Sequence, residues 1–149
     1  MLLASILSAD GYHVTPADSG ESALTQVSAQ PPDLILLDIR VAGLNGFDVC
    51  LRLKSEPSTR DIPIIFISGA SDTAERVRGL SLGAVDFISE PVQREGLRAR
   101  VRAHIELRRL RDRAERHARD ADRANRLLKE ELFERQRAEE AGRARAGAA

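Results

Sequence analysis

Along the first ninety residues the spacing of apolar positions switches repeatedly between two periods. Leu2, Leu3, Ile6 and Leu7 recur at helical spacing until Asp10-Gly11 stops them. His13-Val14-Thr15 forms a short extended run closed by Pro16. Asp18 and Glu21 then stand in capping-box spacing before a helical stretch from Ala23 to Ala29, which Pro31-Pro32 ends. Leu34-Ile35-Leu36-Leu37 is apolar without alternation, as expected of a strand covered on both faces.

The same alternation continues downstream. Phe47, Val49, Cys50, Leu51 and Leu53 predict a helix ending near Glu56-Pro57, and a second buried strand follows over Ile62 to Ile67. Ser71-Asp72 can cap a helix running through Leu82 and ended by Gly83, and Ala84 to Ile88 reads as a further strand before Glu90-Pro91. Helix and strand alternating with short connections predict right-handed βαβ units in a doubly wound parallel sheet of about four strands. In such folds the ligand site lies at the C-terminal ends of the strands.

Beyond Pro91 the pattern changes. From about Val92 to about Ala141 there is no proline, and only Gly96 interrupts a helix-forming composition, so one long projecting helix is predicted. Roughly 45 residues at 1.5 Å each would span about 70 Å, more than a domain of this size. Leu107, Leu110, Ala114, His117, Ala121, Ala124 and Leu128 keep alternating spacings of three and four, as a coiled-coil seam requires. Glu131 and Arg135 weaken the seam after Leu128, and residues 142–149 read as a disordered tail. The resulting division is a globular part over 1–105, a helical extension over 106–141 and the tail.

Charge divides the chain at the same place. Residues 1–90 carry 6 Lys/Arg against 12 Asp/Glu, and 91–149 carry 17 against 11. Seventeen cations on a helix could neutralise nucleic-acid phosphates, but acids three or four residues from arginines (Glu106-Arg109, Asp112-Arg116, Glu115-Arg119) mark a solvated helix face, and nucleic-acid binding is not expected. Cys50 is the only cysteine, which excludes a disulfide framework and Cys-based zinc. On its apolar helix face it reads as core, and His13, His104 and His117 lack metal-ligand spacing. No run approaches membrane-span length and the opening MLLASIL lacks a basic leader, so a cytoplasmic protein is expected.

Three polar residues close the predicted strands: Asp38 after LILL, Ser68 after IIFI, and Glu90 after VDFIS. With DLILLDIRVAGLNGFDVC, IPIIFISGASD and GAVDFISEP, the sequence resembles the receiver domain of two-component response regulators over about residues 2–105. Gly46 lies 8 residues after Asp38, Ser68 lies 30 after it and position 90 lies 52 after it, all matching the family without a gap. The resemblance implies a flavodoxin-like receiver fold with Asp38 at the phosphoacceptor position, facing a histidine kinase as phosphoryl source. It implies Mg2+ held by Asp38, the Arg40 backbone carbonyl and an acidic pair after the first strand. It also implies that Ser68 hydrogen-bonds the phosphoryl oxygens and that Phe87 is the aromatic of the switch.

Two departures change that expectation. The resemblance begins inside the family's first helix, so the first strand and its acidic pair have no counterpart here, and the metal site is expected to be weak or incomplete. Asp10 and Asp18 do not substitute by position. At position 90 the family's Lys is replaced by Glu90. A phosphoryl group adds about −1.5 to −2 charge, and one unit pair at 4 Å with an effective dielectric of 20 amounts to about 4 kcal/mol, here repulsive. Without its first strand the sheet is expected to rearrange, with the strand near His13 sliding beside Leu34–Leu37, or to be completed by a second chain, or else the sequence starts late or is a fragment.

No cyclase, phosphodiesterase or kinase motif is present, so the chain is expected to be non-enzymatic. The leading expectation is a phosphorylation-impaired receiver acting by homodimerisation or partner docking through its C-terminal helix. One alternative is a functional phosphoacceptor whose site is completed in trans. The other is a fragment of a hybrid kinase or cyclase, in which LKEELFERQRAEEA serves as a signalling linker.

Overall fold

A computed structural model describes residues 2–69 and 73–147. The elements are α1 (Leu2–Ala9), α2 (Gly20–Ala29), β1 (Ile35–Asp38), α3 (Gly46–Ser55), β2 (Ile64–Ser68), α4 (Thr73–Ser81), β3 (Asp86–Ser89) and α5 (Arg94–Gly147). The three strands form one parallel sheet in the order β1-β2-β3. Ile35 stands opposite Ile64 and Asp38 opposite Ile67, while Ser68 stands opposite Ser89.

Strand β2 is buried along its whole length, which is why its sequence shows no alternation. Its odd and even residues face different cores. Ile64 and Phe66 join Val27 of α2, Phe47, Val49, Cys50 and Leu53 of α3, and Phe87 of β3. Ile65 and Ile67 join Ile6 and Leu7 of α1 and Leu97, Val101 and Ile105 of α5. The sheet is thus covered on both faces, and the doubly wound expectation holds.

Among the described residues the sheet has three strands, one fewer than expected. Residues 12–17 have no regular structure, and they do not slide alongside β1. Tyr12 and Val14 instead pack their side chains against the α1/α5 core. With no neighbouring strand to supply ladder hydrogen bonds, side-chain burial fixes this segment. Gly11, at φ 89, makes the turn out of α1 in a conformation a side chain would disfavour.

The α2 cap is Ser19, one residue beyond the expected Asp18: its hydroxyl accepts from Ser22 N at 3.0 Å. The expected Ser71-Asp72 cap of α4 lies outside the described residues. Asn45 caps α3 through Asp48 N at 3.0 Å, and a Cβ on the adjacent Gly46 would stand 2.5 Å from the Asp38 carbonyl oxygen. Gly46 is therefore the residue that lets α3 start directly against the end of β1.

The chain divides into two compact units, one ending at Arg108 and the other beginning at Arg109. In the first, α1 is tied to α5 by a bidentate pair, Arg98 to Asp10, at 2.6 Å on both arms. Arg108 Nη1 donates to the carbonyls of Pro32 and Asp33 at 3.2 and 3.1 Å. The second unit is helical to Gly147, and its side chains are exposed apart from a half-buried Asp112. Residues 142–147 correct the expectation of a disordered tail there: Ala and Arg sustain the helix, and a glycine costs it only about 1 kcal/mol. No described helix is long and apolar enough to cross a membrane.

Candidate functional site

The strand ends bring the expected residues to one edge. Asp38 closes β1 and is exposed, and its Oδ1 accepts the Arg40 N–H at 2.9 Å. That Asx turn leads the chain away from the strand. Ser68 closes β2 and is 3% exposed. Glu90 follows β3, its N–H donating to the Ser68 carbonyl at 2.8 Å, and a cis peptide joins it to Pro91. A Cβ on Gly69 would lie 3.3 Å from Glu90 Oε2, so this carboxylate lies against the backbone just after Ser68.

Glu75, in the first turn of α4, was not expected at the site. The Ser68 hydroxyl donates to its Oε2 at 3.4 Å. The sequence signal was slight: an acid seven residues after the strand-end serine, in a helix's first turn, where carboxylates are common anyway. Its neighbour Arg76 places its guanidinium 5.5 Å from the Phe87 ring centroid and donates to Ser89 Oγ at 3.3 Å. The start of α4 thereby touches both β2 and β3.

Phe87 is buried, its ring 6.5 Å from Phe66, which in turn lies 5.4 Å from Phe47. Gly79 of α4 sits against this stack, since a Cβ there would meet Phe66 at 2.8 Å. Asp86, at the opposite end of β3, accepts from Phe87 N at 2.8 Å and from Arg100 at 3.3 Å. His104 Nε2 stands 3.0 Å from its other oxygen, which gives that histidine a carboxylate neighbour. Cys50 is fully buried beside the Leu82 carbonyl, and burial pushes its thiol pKa up against a smaller opposing effect of Lys54.

The resemblance to receiver domains implies Mg2+ at the position of Asp38. Among the described residues no three His, Cys, Asp or Glu side chains gather as a metal cage. Asp38 has one oxygen engaged by Arg40, and the carboxylates of Glu75 and Glu90 lie at Ser68 and Gly69. These residues by themselves fit a magnesium ion poorly, since Mg2+ demands near-octahedral oxygen ligation.

The seam residues lie on α5. Leu107, Leu110, Ala114, His117, Ala121, Ala124 and Leu128 are all exposed, with Leu128 at 54%. Leu127, Leu132 and Phe133, outside the expected seam, are equally exposed. Leu127 and Leu132 flank the seam at Leu128, whereas Phe133 falls on the opposite side of the helix. Ion pairs at helical spacing join Arg111 to Glu115 and Arg135 to Glu131, at 3.4 and 3.8 Å.

Residues 1–102 match the family described as the response regulator receiver domain. The chain is 41% identical over 102 residues to response regulator PleD of Caulobacter vibrioides, covering 68% of this chain and 22% of that one. It is 37% identical over 105 residues to the phosphate regulon transcriptional regulatory protein PhoB of Rhizobium meliloti, covering 70% and 46%. The crystal structure of the NtrX receiver domain from Brucella abortus superposes with a TM-score of 0.66 at 30% identity, covering 70% and 88%. The chain thus spans less than half the length of these two curated relatives.

Proposed function

The chain belongs to the response regulator receiver family of two-component signalling, and from that premise we propose that it is a phosphorylation-impaired receiver that signals by self-association through α5. The observation carrying this reading is the charge around Ser68. Its hydroxyl is held by Glu75, and the Glu90 carboxylate lies against Gly69 beside it. A phosphoryl group on Asp38 would meet two carboxylates in the region where receivers provide a lysine and a hydroxyl. Both effects oppose accumulation of negative charge at that edge. The exposed apolar face of α5 then supplies the output by contact, with a second copy as partner.

A second reading keeps Asp38 as a working acceptor whose site is completed in trans, with a histidine kinase as phosphoryl source. It is favoured by β1, which pairs among the described residues with β2 alone, so its other edge has ladder groups for a further strand. A linker role for α5 is supported by the greater length of the relatives.

Light scattering over a concentration series, with and without magnesium and a small phosphodonor, tests the proposal. A dimer of unchanged mass under all conditions is expected. A monomer throughout contradicts self-association. A monomer that dimerises only with both additions, and not as Asp38→Asn, establishes the second reading instead.

A further inference from the structure

The α5 seam continues past Leu128 as Glu131, Arg135 and Ala138 at the same alternating spacing. Two of these positions are charged, and charges inside a seam select the orientation of the pairing helices. In a parallel, in-register pair every seam residue meets its own copy. Glu131 would face Glu131 and, in the next layer, Arg135 would face Arg135.

An antiparallel pair avoids both clashes. In the register that sets Leu128 opposite Ala124, Glu131 faces Ala121, Arg135 faces His117 and Ala114 faces Ala138, while Leu127 of both copies flanks the centre. In two of these layers, Leu128 on Ala124 and Glu131 on Ala121, a large side chain opposes a small one, as close packing favours. The longer-range charge agrees. Residues 109–129 carry eight Arg/Lys against four Asp/Glu, whereas residues 130–140 carry two against five. Parallel pairing sets the basic arm on the basic arm and the acidic arm on the acidic arm. Antiparallel pairing crosses them.

We infer that α5 binds a second copy of this chain antiparallel, in the register that places Ala114 opposite the partner's Ala138. The inference rests on the self-association proposed above and adds its geometry. Along one helix these two positions are 24 residues, or about 36 Å, apart, so disulfide trapping separates the orientations. Full-length Ala114→Cys and Ala138→Cys chains are prepared separately, mixed and oxidised, with Cys50 fully buried and therefore silent in the folded chain.

The mixture is expected to give the mixed disulfide, and each variant alone is expected to give none. Both substitutions are on exposed helix positions, so folding is not at stake. Self-linking of Ala114→Cys alone means a parallel pair, which overturns the orientation while leaving self-association intact. No disulfide in a chain that light scattering finds dimeric places the interface elsewhere, and a monomer overturns both readings.

Discussion

The two units of this chain are made of comparable amounts of helix and differ in what holds that helix in place. In the first unit, α5 buries Leu97, Val101 and Ile105 against β2 and α1. In the second, the same helix buries no apolar side chain. Stability in the first comes from removing apolar surface from water, and in the second from backbone hydrogen bonds, helix propensity and ion pairs between neighbouring turns. The comparison teaches where apolar surface is left in water. In the second unit Leu110, Leu127 and Leu128 stand half or more exposed, whereas the leucines of the packed cores do not.

Core truncation is the strongest way to break that contrast. Phe66→Ala removes a fully buried ring that contacts Phe47, Phe87 and Gly79, and it should cost about 3–5 kcal/mol in urea denaturation of the first unit. Leu128→Ala, in solution dilute enough to be monomeric, should shift the same transition by no more than about 0.5 kcal/mol. A loss of similar size at both positions would mean that Leu128 is packed within its own chain.

A smaller effect is expected at Gly46, where the added methyl of Gly46→Ala must displace the β1 backbone at Asp38 and Ile39. Overpacking of this kind should cost about 1–3 kcal/mol by thermal or chemical unfolding. Gly96→Ala, with open space around it, should leave stability unchanged or slightly raised by helix propensity. Equal behaviour of the two would show that α3 does not need its close approach to β1.

The smallest effect is a pH dependence. Burial holds the Cys50 thiol protonated to higher pH than in the unfolded chain, so the folded state binds the proton more tightly. The associated stability is fully present below the ordinary thiol pKa, about 8.5, and is lost as pH rises through the folded value. Denaturation midpoints should therefore fall more steeply above about pH 9 in the native chain than in Cys50→Ala. Parallel alkaline profiles would show that Cys50 contributes nothing to that fall.

Much of this could be read along the chain. Unbroken apolar runs at Leu34–Leu37 and Ile62–Ile67 predict strands buried on both faces, and the spacings from Asp38 to Gly46, Ser68 and Glu90 bring the site to one edge. The His13 segment was misread because Val and Thr carry a strand preference that only a neighbouring ladder can realise. The Asp18 cap was misread because Ser19 offers the same chemistry one residue later. Glu75 was invisible because its relation to Ser68 depends on how α4 lies over the sheet.

The sequence by itself therefore determined the alternation of elements, the basic helix with its seam, and the reversal of charge at position 90, since these follow from local propensity, periodicity and residue identity. Only the tertiary structure decided that the sheet among the described residues has three strands, that the Ser68 hydroxyl reaches Glu75, and that Gly46 brings the start of α3 against the end of β1. Each of these depends on which groups become neighbours in space, and burial and hydrogen-bond partnership are properties of that packing rather than of the order of residues.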